Sequence, residues 1–272
     1  ESYLNKRRIL YLMNRKLFAF DIDGTLLDTK KKPLKSTVLA INALRAQGHF
    51  VTLATGRSRF HAQTVIRDLH FDNYVLCNGA AAFLNHQQIF KQLLPKKALS
   101  EFVQETSRLA IDTSFIGLDE MRRATDFDQE MMMTAMRSFG STMPQLDATF
   151  LDNEDVYQGL AFYGSAYENY FDDRYPELAF IRWHENCVDV IPKENSKART
   201  ILNVAKRLDM EDEDGICFGD GLNDREMLAA AGVGVAMGNA SEEVKACADL
   251  VTDDNDHDGI SKALKKMKVL KD

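Results

Sequence analysis

Leu17-Phe18-Ala19-Phe20-Asp21-Ile22-Asp23-Gly24-Thr25 decides the fold: four apolar residues run straight into two carboxylates and a glycine. An apolar run of this length, bounded by Asp and Gly, reads as a strand buried on both faces, the habit of parallel sheets. The same pattern recurs near the other end, where Ile216-Cys217-Phe218 leads into Gly219-Asp220-Gly221-Leu222-Asn223-Asp224. Both acidic clusters therefore fall just past strand ends, where open α/β sheets hold their ligands. Two such clusters at one sheet edge suit a hard divalent cation, bound by oxygen and shared with a phosphate.

Outward from this stretch, strands and helices alternate. Residues 16–22, 50–54 and 74–77 read as strands, and 36–47 and 58–69 as helices. Val38, Ile41 and Leu44 share one face of the first helix, and Gly48 stops it. The βαβαβ order implies a doubly wound parallel sheet. It resumes with helices at 195–208, 224–231, 241–248 and 259–267 between strands at 215–218, 233–236 and 250–252. Between them the pattern is mixed: helices are expected at 97–109, 127–137 and 166–175, and strands at 113–117, 156–162 and 179–183. The expected fold is α/β, a doubly wound, Rossmann-like parallel-sheet core over 13–90 and 188–272, with an inserted α+β cap domain at 91–187. Hinges are expected near 90–94 and 187–192. Residues 1–12 precede a natural-looking start at Met13 and read as an N-terminal extension.

At 272 residues and 45% hydrophobic, the chain can bury one large or two modest cores. A formal charge of −7 argues against non-specific nucleic-acid binding, and no apolar stretch approaches the ~20 residues of a membrane span. The cysteines (Cys77, Cys187, Cys217, Cys247) form no CxxC pair, and Cys77 and Cys217 lie in apolar runs. Free thiols in a reducing, cytoplasmic setting follow. Residues 1–12 lack the small-residue cleavage site of a secretory leader.

The chemistry follows from the acids. Asp21, at a strand end, is placed to attack phosphorus and form an aspartyl-phosphate. Mg²⁺ must first neutralise the repulsion between two anions, and Asp220 is the natural second ligand. Asp23 is close enough to protonate the leaving oxygen and then activate water. Gly24 permits a sharp turn. Leu53-Ala54-Thr55-Gly56-Arg57 ends the second strand, so the Thr55 hydroxyl and Gly56 amide are candidate phosphate ligands. Lys197 would bring an ammonium to the phosphate and to Asp21, with Lys193 as the competing candidate.

Asp21–Thr25, Thr55, Lys197 and Gly219–Asp224 together resemble the four motifs of the haloacid dehalogenase superfamily of phosphatases, in the same order. Asp21-Ile22-Asp23-Gly24-Thr25-Leu26-Leu27-Asp28, Ala54-Thr55-Gly56-Arg57, Asn78-Gly79-Ala80 and Asp254–Ile260 resemble its Cof-type (subclass IIB) group, which carries a large α/β cap. The resemblance implies Asp21 as nucleophile and Asp23 as acid/base. It implies Mg²⁺ held by the Asp21 carboxylate, the Asp23 carbonyl and Asp220. It also implies phosphate contacts from the Ile22 amide, Thr55, Gly56, Lys197 and Asn223, with Asp224, Arg57 and Asn78 in support. Cation-pumping relatives carry Thr where Asp23 stands, which favours a phosphatase. The chain departs from the family at Asn195, where a glycine is usual; Asn tolerates the left-handed backbone such a turn can need.

Asp254, Asp256, Asp258 and Gly259 imitate the start of an EF-hand loop, but Lys265 stands where the bidentate Glu is required; an acidic loop capping the last helix is expected instead. Met131, Met132, Met133 and Met136 read as cap core, and Arg122, Arg123, Arg182 and His184 as solvated charge. The resulting expectation is a cytoplasmic, Mg²⁺-dependent phosphatase of sugar phosphates or similar phosphomonoesters, acting through an aspartyl-phosphate. Its partner is a small phosphorylated metabolite, with no nucleic acid and no membrane, and the protein is a monomer or weak homo-oligomer. A phosphotransferase such as a sugar-phosphate mutase, or a non-catalytic phosphometabolite-binding regulator, are the alternatives.

Overall fold

The computed structural model describes residues 15–138 and 140–270; the expected extension at 1–12 lies outside them. Among the described residues, contacts divide the chain into two units, one drawn from residues 15–56, 64–89 and 196–270, the other from 57–63, 90–138 and 140–195.

The first unit is built on β1 (Leu17–Phe20), β2 (Phe50–Ala54), β3 (Tyr74–Leu76), β4 (Ala81–Leu84), β5 (Gln87–Lys91), β12 (Gly215–Gly219), β13 (Val233–Ala236) and β14 (Leu250–Val251). They form an eight-stranded sheet in the order β14-β13-β12-β1-β2-β3-β4-β5. β1 pairs in parallel with β2 on one side and β12 on the other. All four of its residues are buried, as a strand covered on both faces requires. The chain therefore leaves β1 toward one edge and returns on its other side, which makes the C-terminal end of β1 the switch point. Phe20 lies opposite Phe218, so Asp21 is level with Gly219 and Asp220 stands one residue beyond.

Past β3 the parallel reading stops. Cys77, Asn78 and Gly79 form a 3-10 turn with φ of 51°, 55° and 100°, and β4 returns antiparallel to β3. At Gly79 this backbone is essential, because a Cβ there would collide with the Ser196 carbonyl. β4 and β5 are absent from the sequence reading, since Gln87–Lys91 shows no apolar alternation.

The second unit holds β6 (Asp112–Ile116), β7 (Met121–Arg123), β8 (Gln145–Leu146), β9 (Gln158–Phe162), β10 (Leu178–His184) and β11 (Cys187–Pro192), ordered β10-β11-β9-β6-β7-β8. Side chains alternate strictly between two cores. Phe115, Ala161 and Tyr163 pack with Leu99 and Phe102 of one helix, Lys96–Arg108. Ile116, Leu160 and Phe162 pack with Met132 and Met136 of another, Gln129–Ser138. Period-two alternation thus gives each sheet face its own helix; Met132 and Met136 are core as expected, with Met131 partly buried against them, whereas Met133 is half-buried and outside the cluster.

Four expectations fail here. Residues 166–175 are not a helix: Ser165–Tyr167 makes a 3-10 turn, Asn169 takes a left-handed φ of 59°, and further turns follow. The aromatic residues that suggested a helix instead fill the core, Phe171 and Tyr175 packing on Phe102. The expected hinge at 187–192 is β11, bonded to β10 and β9 on its two sides. Asn195 is not among the left-handed residues; its N–H closes a turn on Pro192. Arg123 and Arg182 are not solvated charges. Arg182 meets Glu168 at 2.6 Å and the carbonyls of Tyr163, His184 and Glu185, while Arg123 meets Asp126 and the Pro144 carbonyl.

Candidate active site

Asp21 begins where β1 ends, and it is buried together with Lys197 and Asp224. Lys197 opens the helix Lys197–Arg207, whose N-cap Ser196 accepts a hydrogen bond from the Arg199 N–H. That helix buries Ala198, Ile201, Val204 and Ala205 along one stripe, which turns Lys197 inward too. Its ammonium donates to Asp21 Oδ1 at 2.9 Å and to Asp224 Oδ1 at 2.7 Å. Lys193, the competing candidate, is exposed.

The turn after β12 brings in the second acidic cluster. Asp224 Oδ2 accepts the N–H groups of Asp220 and Gly221 at 3.1 and 2.9 Å, folding the loop back on itself. Asp220 Oδ1 accepts the Thr25 hydroxyl at 2.9 Å, and Oδ2 accepts the Asn239 amide at 3.0 Å. Gly24, at φ 73°, lets the first loop pass this carboxylate, since a Cβ there would overlap it.

One carboxylate oxygen each from Asp21, Asp220 and Asp224 lies within 4.8 Å of the others. Crowding and burial set their protonation. Burial pushes Asp21 up to about 8, with Asp224 and Asp220 adding to the rise and Lys197 opposing it. Asp220 rises to about 6, again chiefly through burial, with Asp224 adding and Thr25 opposing. Burial alone would lower Lys197, but Asp21 and Asp224 outweigh it and hold the ammonium charged. With all three carboxylates ionised against one ammonium, two negative charges remain, which a divalent cation would neutralise. All the donors are hard oxygens, so the residues fit Mg²⁺.

The remaining expected residues form a second set. Thr55 is buried at the end of β2, and its carbonyl accepts the Asn78 N–H. A Cβ at Gly56 would crowd the Asn78 amide, and Asn78 Oδ1 accepts from Asn223 Nδ2 at 2.9 Å. Two successive left-handed non-glycine residues, Cys77 and Asn78, mark strain of the kind that collects at functional sites. Ile22 is buried, its carbonyl accepting from Leu26 and Leu27. Asp23 differs from the other acids: it is partly exposed and paired with Lys31 at 2.9 Å. Arg57 lies with the second unit and donates to the His61 carbonyl.

Sequence reasoning missed Lys31, Asn239 and Asn255. Asn255 Nδ2 donates to the Leu27 carbonyl at 2.8 Å, and its own N–H donates to Asn239 Oδ1. The acidic segment around it does not cap the last helix, as Asp258 makes no side-chain cap. It clasps the loop after Asp21 and the helix that follows it instead: Asp256 accepts from Thr29, and Asp258 from Ser36 in the helix Lys35–Ala46.

The family profile of haloacid dehalogenase-like hydrolases matches residues 18–264, spanning every element of this site. The chain belongs to that family. Among HAD-family relatives, it is 36% identical to the putative phosphatase YkrA of Bacillus subtilis (strain 168), over 95% of this chain and all of that one. It is 29% identical to the pyridoxal phosphate phosphatase YbhA of Escherichia coli (strain K12), over 92% of this chain and 97% of that one. The solved structure of the HAD subclass IIB sugar phosphatase BT4131 superposes with a TM-score of 0.82 at 30% identity, covering 94% of this chain and all of that chain. Among the described residues, no helix is long and apolar enough to cross a membrane.

Proposed function

We propose that this HAD-family enzyme is a Mg²⁺-dependent phosphatase of small phosphorylated metabolites, working through an aspartyl-phosphate on Asp21. The observation that carries this reading is the buried Asp21–Lys197–Asp224 triad beside Asp220, which holds two negative charges in excess once all three carboxylates are ionised. Mg²⁺ held by the Asp21 and Asp220 carboxylates and the Asp23 carbonyl would neutralise the approach of a phosphate. Asp224 supports the site, because its oxygens are already engaged by Lys197 and two backbone N–H groups.

Asp21 attacks phosphorus as the bond to the leaving oxygen breaks, and Asp23 gives that oxygen its proton. Water then attacks the aspartyl-phosphate, Asp23 takes the proton, and phosphate leaves with Asp21 restored. Lys31 does not bar Asp23 from this work: an exposed ion pair is worth at most about 1 kcal/mol, so a substrate can displace it. The Thr55 hydroxyl and the Ile22 and Gly56 amides, with Lys197 and Asn223, hold the phosphoryl oxygens. Relatives named for a sugar phosphate and for pyridoxal phosphate support a small phosphomonoester as substrate.

The test is phosphate release from a panel of sugar phosphates, pyridoxal phosphate, flavin mononucleotide and p-nitrophenyl phosphate, with and without Mg²⁺. Release that ignores Mg²⁺, or persists in Asp21→Asn, rejects the mechanism. Asp220→Ala should raise the Mg²⁺ concentration for half-maximal rate by about 10–100-fold or more; an unchanged requirement removes Asp220 from the ligand set.

A pH signature accompanies the metal. Asp21 and Asp220 are raised from 3.8 to about 8 and about 6, so the folded state keeps protons that the unfolded chain releases. Stability from these groups is full below about pH 4 and lost as pH rises toward 8. A divalent cation displaces those protons, so Mg²⁺ should raise Tm more at pH 8 than at pH 5.5. At a hundred times Kd the gain is about 2.7 kcal/mol, or roughly 5–10 °C. Equal shifts at the two pH values would contradict the proton–metal exchange.

A further inference from the structure

Asp220 is the one carboxylate of the cluster with neither oxygen on Lys197; Thr25 and Asn239 hold it instead. Asn239 follows Met237-Gly238 at the end of β13, outside the motifs that supply the acids. Its amide nitrogen makes two bonds at once, to Asp220 Oδ2 at 3.0 Å and to the Gly24 carbonyl at 2.9 Å. One side chain thus ties the loop after β1 to the loop after β12.

Which way this amide points is settled by a third bond. Asn239 Oδ1 accepts the Asn255 N–H at 3.2 Å, and a backbone N–H can be received only by the oxygen. The NH₂ group must therefore face Asp220; a flipped amide would set its oxygen against the carboxylate and lose both donors. Asn255 is itself anchored through Nδ2 to Leu27 in the loop after Asp21. A neutral donor also suits this position. It orients Asp220 without adding a cation beside the place where one is to bind, whereas a lysine there would compete with the metal.

Resting on the metal reading above, we infer that Asn239 is a positioning residue for the metal ligand Asp220, oriented by Asn255 from the C-terminal segment. With one lone pair of each Asp220 oxygen engaged by Thr25 or Asn239, the carboxylate is fixed in rotation and its remaining lone pairs are offered to the cation. Losing such an orienting partner typically costs 10–100-fold in metal affinity.

The experiment is Mn²⁺ binding, read by the electron paramagnetic resonance of the free ion, in wild type, Asp220→Ala and Asn239→Ala. Metal-free Tm and far-UV circular dichroism establish that each is folded. The expected result is a 10–100-fold weaker Mn²⁺ Kd in Asn239→Ala, with its loss of kcat/KM at limiting Mg²⁺ recovered at saturating Mg²⁺ and substrate KM unchanged there. A role in stability alone would lower Tm and leave the Mn²⁺ Kd where it was, overturning the inference. Wild type that binds Mn²⁺ no better than Asp220→Ala overturns the metal reading itself. Should Asn239→Ala not fold, the Asn239 side-chain ¹⁵N–¹H signals of the wild type decide. A shift on adding Mg²⁺ supports the contact with Asp220, and signals indifferent to Mg²⁺ overturn it.

Discussion

Replacing Asp21 by Asn should abolish turnover while leaving the protein as stable as before, or more so at pH 8. The amide cannot form the acyl phosphate, and loss of a nucleophile from a cooperating set costs roughly 10⁴–10⁶-fold in kcat. The stability side follows from burial. Asp21 sits with two other carboxylates at a site that pushes its pKa to about 8, so its ionised form opposes folding above that pH. Asn fills the same space without charge, and Lys197 keeps Asp224 as a partner. Phosphate release and calorimetry at pH 8 without metal check both halves. Residual activity above about 10⁻³ of wild type would remove Asp21 as nucleophile, and a large fall in Tm would mean its charge is needed to hold Lys197.

Lys197→Met should have the opposite profile, losing activity and stability together. The ammonium is 1% exposed and pairs with two carboxylates that are themselves 10% and 0% exposed. Methionine matches the stem but leaves Asp21 and Asp224 facing one another uncompensated. Breaking a buried ion pair from one side costs about 3–5 kcal/mol, which corresponds to roughly 6–20 °C in Tm for a chain of this size. The loss should be smallest at pH 5, where Asp21 can take up a proton, and largest at pH 8. Added Mg²⁺ should recover part of it. A Tm within 2 °C of wild type at pH 8 would show that those carboxylates do not depend on the lysine.

The contrast between these variants also marks what can be read from the chain before folding. Asp21 and Asp220 were legible because an apolar run ending in an acid has one natural meaning: a buried strand delivering charge to a sheet edge. Lys197 was legible from the residues only as one of two lysines; the resemblance to the family's motif order singled it out from Lys193, and the apolar stripe of its helix turns it inward in the structure. Asn239 and Asn255 carry no such signal. Both are uncharged; Asn239 follows the Gly219–Asp224 motif, Asn255 is hidden between Asp254 and Asp256 in a segment notable in sequence for its acids, and their importance lies in which way an amide points across a fold. Lys31 was lost for a different reason, being one of three consecutive lysines, Lys30-Lys31-Lys32, alike in sequence and distinguished only by its turn. The helix expected at 166–175 failed because aromatic residues were read by period, whereas a left-handed Asn169 broke the run and the rings packed as a cluster.

The hydrogen bonds that assemble the site span long stretches of chain: 145 residues between Asn78 and Asn223, 176 between Asp21 and Lys197, and 215 between Gly24 and Asn239. At the usual 5–20 residues per second of synthesis, about 10–35 s separate the appearance of Asp21 from that of its lysine. During that interval the nascent chain holds β1 with its acid but lacks β12, its neighbour in the finished sheet. The uncompleted sheet edge is the segment a chaperone would have to shield, and the site is complete only when the stretch from Lys197 to Asn239 has docked. Ribosome-bound chains ending at residue 195 should therefore be inert toward phosphate esters, however well the inserted unit has already folded.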